Sequence, residues 1–137
     1  MLFQRISRKN PERIFGIFQN VDAAAMADGE VVMINITATP TVPGSEIKKT
    51  TAASAINVAG VVSGAIAIGD FGTVQVYGIH SNVKTTAAAL AAGSVITSDA
   101  AAAAVVGAAA DDPSARLGFS VVVGASNRAQ CFIKCLG

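Results

Sequence analysis

The chain is poor in the residues that do chemistry. It has one histidine, two cysteines, one tyrosine and no tryptophan, and charged residues make up 14% of its 137 positions. A nucleophilic triad or a metal cluster would have to rest on His80 alone. That residue follows a strand-like run and reads as a surface or turn histidine. No glycine-rich stretch matches a nucleotide fingerprint. Asp70-Phe71-Gly72 spells a kinase metal-binding triplet, but no phosphate loop or catalytic loop accompanies it, and it reads as a hairpin turn. No catalytic, cofactor-binding or metal-ligating residue is assigned, and neither a cofactor nor a small-molecule substrate is expected. The composition argues against an enzyme.

The shortage of charge has a second meaning. Charged residues are about a quarter of an ordinary soluble domain, whereas here 52% of the chain is hydrophobic. Either neighbouring subunits cover much of the surface or part of the chain sits in a membrane. The membrane candidate is the uncharged stretch 50–69, which has the length of a span. It nevertheless carries Thr50, Thr51, Ser54, Asn57 and three glycines, with no Leu or Phe, and a pair of β-strands is the better reading. Net charge is +1, so no global field recruits nucleic acid or anionic lipid. Charges also interrupt the apolar residues of the first positions, against a secretory signal.

Cys131 and Cys135 lie four apart in a segment that reads as a strand. They then share a face but are separated by about 13 Å of rise, too far to bridge. Two reduced thiols that behave as small apolar side chains are expected.

What the chain has in quantity is Ala, Val, Gly and Ile in short runs. The fold class expected is all-β, a small barrel or sandwich built from two loosely repeated β units behind an N-terminal arm. Residues 1–13 form the arm and 14–137 one domain. Asn10-Pro11-Glu12 could start a short helix, while Ile14, Phe15, Ile17 and Phe18 read equally well as a strand. Residues 30–37 make a strand after the Asp28-Gly29 turn, residues 37–44 a proline-bearing loop or edge, and Glu46, Lys48 and Lys49 its solvated exit. Strand, turn at Gly69–Gly72 and strand follow from Val58 to His80, with Val74 and Val76 facing opposite to Thr73, Gln75 and Tyr77. A strand at Ser94–Thr97 comes next, with Ala100–Ala110 undecided, and two closing strands complete the chain.

A faint internal repeat organises these elements. Met26–Ile34 resembles Leu90–Ser98, with Gly29 matching Gly93, and Gly60-Val61-Val62 corresponds to Gly118-Phe119-Ser120. The units run from about 26 to 78 and from about 90 to 137. In this register Ile133 takes the place of Val74 and Cys135 that of Val76, after a turn one residue longer in the second unit. Both cysteines then fall on the buried face.

At the blocks NVDAAAMADGEVVMI, AGVVSGAIAIGDFGTVQVYG, AAGSVITSD and ARLGFSVVVG, the chain resembles small decoration or cement proteins of tailed-bacteriophage capsids. Gly69, Gly72, Val74, Val76 and Gly78 carry the hairpin of that pattern, and Gly118 opens the last strand pair. The resemblance implies a barrel-like fold made in the host cytoplasm and attached to the capsid surface. Its partners would be the major capsid protein and copies of itself, often as trimers. The basic N-terminus and the two cysteines depart from the pattern, which leaves another virion position, in the tail or as a minor capsid component, as an alternative. A small membrane-associated protein spanning with residues 50–69 is the alternative from a different class.

The arm is the proposed contact segment. Arg5, Arg8, Lys9 and Arg13 hold four of the ten basic residues, and Leu2, Phe3 and Ile6 supply apolar anchors. Such an arm suits a protein groove better than nucleic acid. Far-UV circular dichroism should therefore show mainly β-structure, and a helix-dominated spectrum would contradict the barrel reading.

Overall fold

A computed structural model describes residues 12–36, 42, 44–86, 90–107, 115–122 and 126–135. These hold nine strands and no α-helix: β1 (Ile14–Asn20), β2 (Val31–Ile34), β3 (Glu46–Lys49), β4 (Val58–Val62), β5 (Phe71–Lys84), β6 (Val95–Asp99), β7 (Ala103–Val106), β8 (Arg116–Ser120) and β9 (Arg128–Lys134). They pair in the order β1-β3-β2-β4-β5-β9-β8-β6-β7, and β1 also pairs with β5. The β1–β5 ladder closes the first five strands into a barrel, which removes their free edges. The remaining strands return to the far end of β5 through a single parallel bridge, Thr85 to Ala104.

The two halves have the same wiring. In the first, β1 runs parallel to β3 and antiparallel to β5. In the second, the end of β5 takes the part of β1: it is parallel to β7 at the Thr85–Ala104 bridge and antiparallel to β9. The 14-residue strand β5 is thus the last strand of one unit and the first of the next. Its length permits this, since about 46 Å of extended chain exceeds the span of one small barrel.

Three copies of one turn set the unit ends. Met26-Ala-Asp-Gly-Glu30, Ile66-Ala-Ile-Gly-Asp70 and Leu90-Ala-Ala-Gly-Ser94 share the pattern apolar-Ala-x-Gly-polar. In each, the N–H of the last residue donates to the alanine carbonyl at 3.2 Å. Gly29, Gly69 and Gly93 sit at φ +84, +80 and +81, the positive φ that the third position of a type II turn demands. The leading Met26, Ile66 and Leu90 are all buried and cap a core. A second shared device is a bulge. The β2–β4 pairing slips between Val32 and Met33, opposite Gly60, and the β6–β8 pairing slips between Ile96 and Thr97, opposite Gly118. A Cβ at Gly60 would fall on the Gln75 carbonyl oxygen, and one at Gly118 on that of Phe132.

Alternation along the strands produces two cores. Met26, Val32, Ile47, Ala59, Val62, Ile66 and Val74 fill the first barrel, with Phe18 and Ile34 packed against them. The second core combines Leu90, Ile96, Ala104, Leu117, Cys131 and Ile133 with Val31, Val58 and Val61. Those three valines belong to the outer wall of the first barrel. One unit's wall therefore completes the other unit's interior.

Several expectations are corrected by this arrangement. Glu46, Lys48 and Lys49 are not a solvated exit but part of strand β3, and Glu46 is buried, accepting from Asn35 Nδ2 at 2.7 Å. The turn after β4 spans Ala67–Asp70, so Phe71 and Gly72 already belong to β5. Gln75, on the face opposite Val74 and Val76, is not solvated but 1% exposed, with its Nε2 donating to the Tyr77 carbonyl at 3.2 Å. Part of the undecided alanine segment is strand β7. The repeat register shifts by two residues. Val61 faces Gln75 and Val62 faces Val74, while Phe119 faces Phe132 and Ser120 faces Cys131. Cys131 therefore stands at the place of Val74, Ile133 at that of Val76 and Cys135 at that of Gly78. The intervening turn in the second unit is one residue shorter, not longer. A shift of two preserves the face, so both cysteines still point to the core, and both are free thiols.

Replacing Gly60 or Gly118 by Ala should lower stability by about 2 kcal/mol or more in each case, measured by urea unfolding. Two neutral substitutions would show that the bulges tolerate a side chain.

Candidate functional site

The densest polar cluster lies where the units meet. The Asp28-Gly29 turn is laid on the C-terminal end of β5: Gly29 O accepts from the Lys84 N–H at 2.8 Å, and Arg128 Nη1 donates to Asp28 O at 2.8 Å and to Asn82 O at 3.2 Å. Asn82 Nδ2 donates to Asp28 Oδ2 at 2.9 Å, and the Gly64 N–H donates to Asp28 Oδ1 at 2.9 Å. Burial alone would raise the Asp28 carboxyl, but these hydrogen bonds, with His80 and Arg128 nearby, hold it below its ordinary value.

His80 is inside β5 and 5% exposed, so it is neither a turn nor a surface residue. Sequence reasoning ended the strand four residues too early. Nδ1 accepts the Asn82 N–H at 3.2 Å, which leaves the proton of the neutral ring on Nε2, facing the Val62 carbonyl at 3.2 Å. Asp28 Oδ1 lies 3.8 Å from the same nitrogen. Burial depresses the imidazole, and Arg13 and Arg128 add to this, outweighing the pull of Asp28 and the Val62 carbonyl. Beside the cluster, Glu30 is paired with Lys49 Nζ at 3.0 Å and Lys84 Nζ at 3.2 Å, and accepts the Ala27 N–H. Burial would raise this carboxyl too, yet these partners keep it below the usual carboxylate range.

These groups are engaged with one another. Among the described residues, no buried side-chain N or O atom lacks a partner, and no group of three His, Cys, Asp or Glu could hold a metal. Burial raises Cys131 and Cys135 to about 12, which suppresses thiolate chemistry. The cluster holds two units together and offers no nucleophile.

Of the proposed contact residues, Leu2, Phe3, Arg5, Ile6, Arg8 and Lys9 lie outside the described residues. Arg13 is exposed and leads into β1, where the backbone of Glu12 and Arg13 runs close against Gly78. Residues 50–69 contain strand β4, and among the described residues no helix is long and apolar enough to cross a membrane.

The exposed apolar residues were missed by sequence reasoning, because alternation alone does not tell which face a neighbour covers. On the first barrel Phe15, Ile17 and Phe71 share the outer face of the β1–β5 seam, 44%, 62% and 62% exposed. On the second half, the exposed Phe119 and Val95 stand in one row with the half-buried Ile79 and Phe132, opposite one another across β5, β9, β8 and β6. The Phe119 and Phe132 rings stack at 5.1 Å, and Tyr77 meets Phe132 edge-on at 5.1 Å.

No protein-family model matches the chain, and no curated protein matches it. Among solved structures, the chain is similar to the N base of the head fiber protein gp8.5 of bacteriophage phi29. The TM-score is 0.62 at 18% identity, covering 89% of this chain and 96% of that one. At this identity the likeness establishes a shared fold.

The buried neutral histidine makes stability depend on pH. The depressed folded value means that the unfolded chain takes up the proton first. His80 therefore contributes stability above its ordinary 6.5, and this is lost as pH falls towards its folded value. Asp28 and Glu30 have depressed values as well, so their contribution is lost only in the acid range below their ordinary 3.8 and 4.5. The melting temperature should be level above about pH 7, decline below about 6.5 and fall again in acid. His80→Gln should abolish the first decline and leave the second. A wild-type melting temperature unchanged from about pH 7 to about pH 5 would contradict the burial of a neutral ring.

Proposed function

We propose that this protein is a structural component of a tailed-phage virion, attached to the outside of the head as a decoration or cement protein. The observation that carries the reading is the fold likeness to the base of a phage head fiber, which spans nearly the whole of both chains. The composition supports it. Low charge and small side chains let β surfaces approach closely with little desolvation penalty. Apolar side chains exposed on two faces are what a protein buried in a lattice presents. Its chemistry is surface burial, and binding to the assembled shell stabilises that shell by mass action.

The partners in this reading are the major capsid protein and other copies of the chain, arranged as trimers, on the capsid surface. The arm makes the attachment. Leu2, Phe3 and Ile6 enter a groove of the neighbouring subunit, and Arg5, Arg8, Lys9 and Arg13 sit at its rim. Exposed ion pairs are worth about 0–1 kcal/mol each, so the apolar anchors dominate and salt has a modest effect.

The test is co-sedimentation with purified particles. Because Glu12 and Arg13 pack against Gly78, the truncation should stop at residue 11. Removing residues 1–11 should leave a folded domain that no longer sediments with particles. Full occupancy by the truncated protein would place attachment on the β domain, and failure of the intact protein to bind particles would remove the virion role.

A further inference from the structure

The outer side of the second unit carries an apolar row with positive charge along one flank. Phe119 and Val95 are 43% and 39% exposed, and the half-buried Ile79 and Phe132 complete the row. The stack of Phe119 on Phe132 and the edge contact of Tyr77 hold its centre in place. Lys134 follows Phe132 by two residues on β9 and so points to the same face, opposite Tyr77. Arg116 does the same on β8. Between the Gly118–Ile96 and Arg116–Thr97 pairs β8 has one extra residue, the core-facing Leu117, so Arg116 and Phe119 both face outward. Both cations are exposed. They stand about 7 Å from the row, one step along their strands.

The sign of the charge says what suits this face. From Ile79 onward the described residues include the cations Lys84, Arg116, Arg128 and Lys134, against the single carboxylate Asp99. Lys84 is paired with Glu30, and Arg128 donates to the Asp28 and Asn82 carbonyls. Among the described residues no carboxylate pairs with Arg116 or Lys134. Asp99 lies at the β6–β7 turn, about 13 Å along β6 from Val95. The chain's own arm has the wrong sign for this face, since it carries Arg5, Arg8 and Lys9. Single-stranded nucleic acid fits it poorly as well. Such ligands need a cationic track and ring faces free for bases. Here there are two cations, the rings of Phe119 and Phe132 stack on each other, and Ile79 and Val95 are aliphatic.

We infer that this face binds a segment of a partner protein that combines apolar and acidic side chains. The apolar side chains cover Phe119, Val95 and the exposed parts of Ile79 and Phe132, and the carboxylates meet Arg116 and Lys134. Burying the row beside two unpaired cations favours a partner that brings the opposite charge, because water withdrawn from the contact strengthens each ion pair. A neutral apolar partner would leave both cations without a counter-charge at the rim of the contact. The inference goes beyond attachment by the arm, for it uses a different face and a partner of the opposite charge. It is tested without particles, so the two can fail separately.

The experiment selects a yeast-displayed random peptide library on the full chain and then titrates the enriched peptides. Wild type should enrich peptides that join Leu, Ile or Phe to Asp or Glu. Phe119→Ser and the double variant Arg116→Glu/Lys134→Glu should each bind those peptides at least about tenfold more weakly. Their circular dichroism spectra and melting temperatures should be unchanged, since all three side chains are exposed. Val106→Glu, at an exposed residue on β7 outside the row, should bind like wild type. Selected afresh, the double variant should enrich peptides with Lys or Arg in place of the acids. A labelled oligothymidylate is the competing probe. Enrichment of basic or uncharged peptides on wild type, no enrichment at all, or affinity indifferent to both substitutions would each overturn the inference. So would tight binding of the oligothymidylate that is lost in the double variant, which would give the face to nucleic acid.

Discussion

Strand β5 has two sets of neighbours, and the rest of the molecule follows from that. Its first half closes the barrel against β1 and β4, and its second half starts the next unit against β9. A strand used twice fixes the distance and rotation between the units, and this brings the valine wall Val31, Val58 and Val61 over the open side of the second core. The polar junction then has its purpose. Crossing from one unit to the next leaves backbone and side-chain groups away from water. Asp28, Asn82, Arg128, Glu30 and Lys84 satisfy one another there.

The second unit depends on this wall more than the first does. The first barrel is closed by a six-pair ladder between β1 and β5 and filled by its own side chains, including Ile66 from the middle turn. The second is closed by one bridge, and Phe18 and Ile47 of the first unit are matched there by the smaller Val83 and Ala104. Borrowed valines fill the difference. An extended chain poor in aromatic residues can build two cores this way with thin layers and few large side chains.

Much of this was legible in the sequence. The glycines at positions 29 and 93 announced equivalent turns, and Gly60 matched Gly118 correctly because each sits at a bulge where a neighbouring carbonyl leaves no room for a side chain. The last strand was matched two residues off. Alternating Val, Cys and Ile positions read the same after a shift of two, and the registers are distinguished by the strand pairing, Phe119 with Phe132 and Ser120 with Cys131. His80, Gln75 and Glu46 were misjudged for a common reason. Polarity in a strand implies solvent unless another layer arrives, and both that layer and the partners that neutralise these groups come from distant parts of the chain. The uncovered row was hidden for the converse reason, since Phe119 and Val95 look like ordinary core residues.

The central claim is that the two units form one body through a shared strand and a shared wall. Residue-resolved urea unfolding by NMR tests it most directly, following Val32 and Ile47 in the first barrel and Ile96 and Leu117 in the second. The account predicts a single midpoint for all four, shifted together by Val61→Ala although Val61 belongs to the first barrel. Two separate midpoints, or a Val61→Ala effect confined to the first barrel, would contradict it.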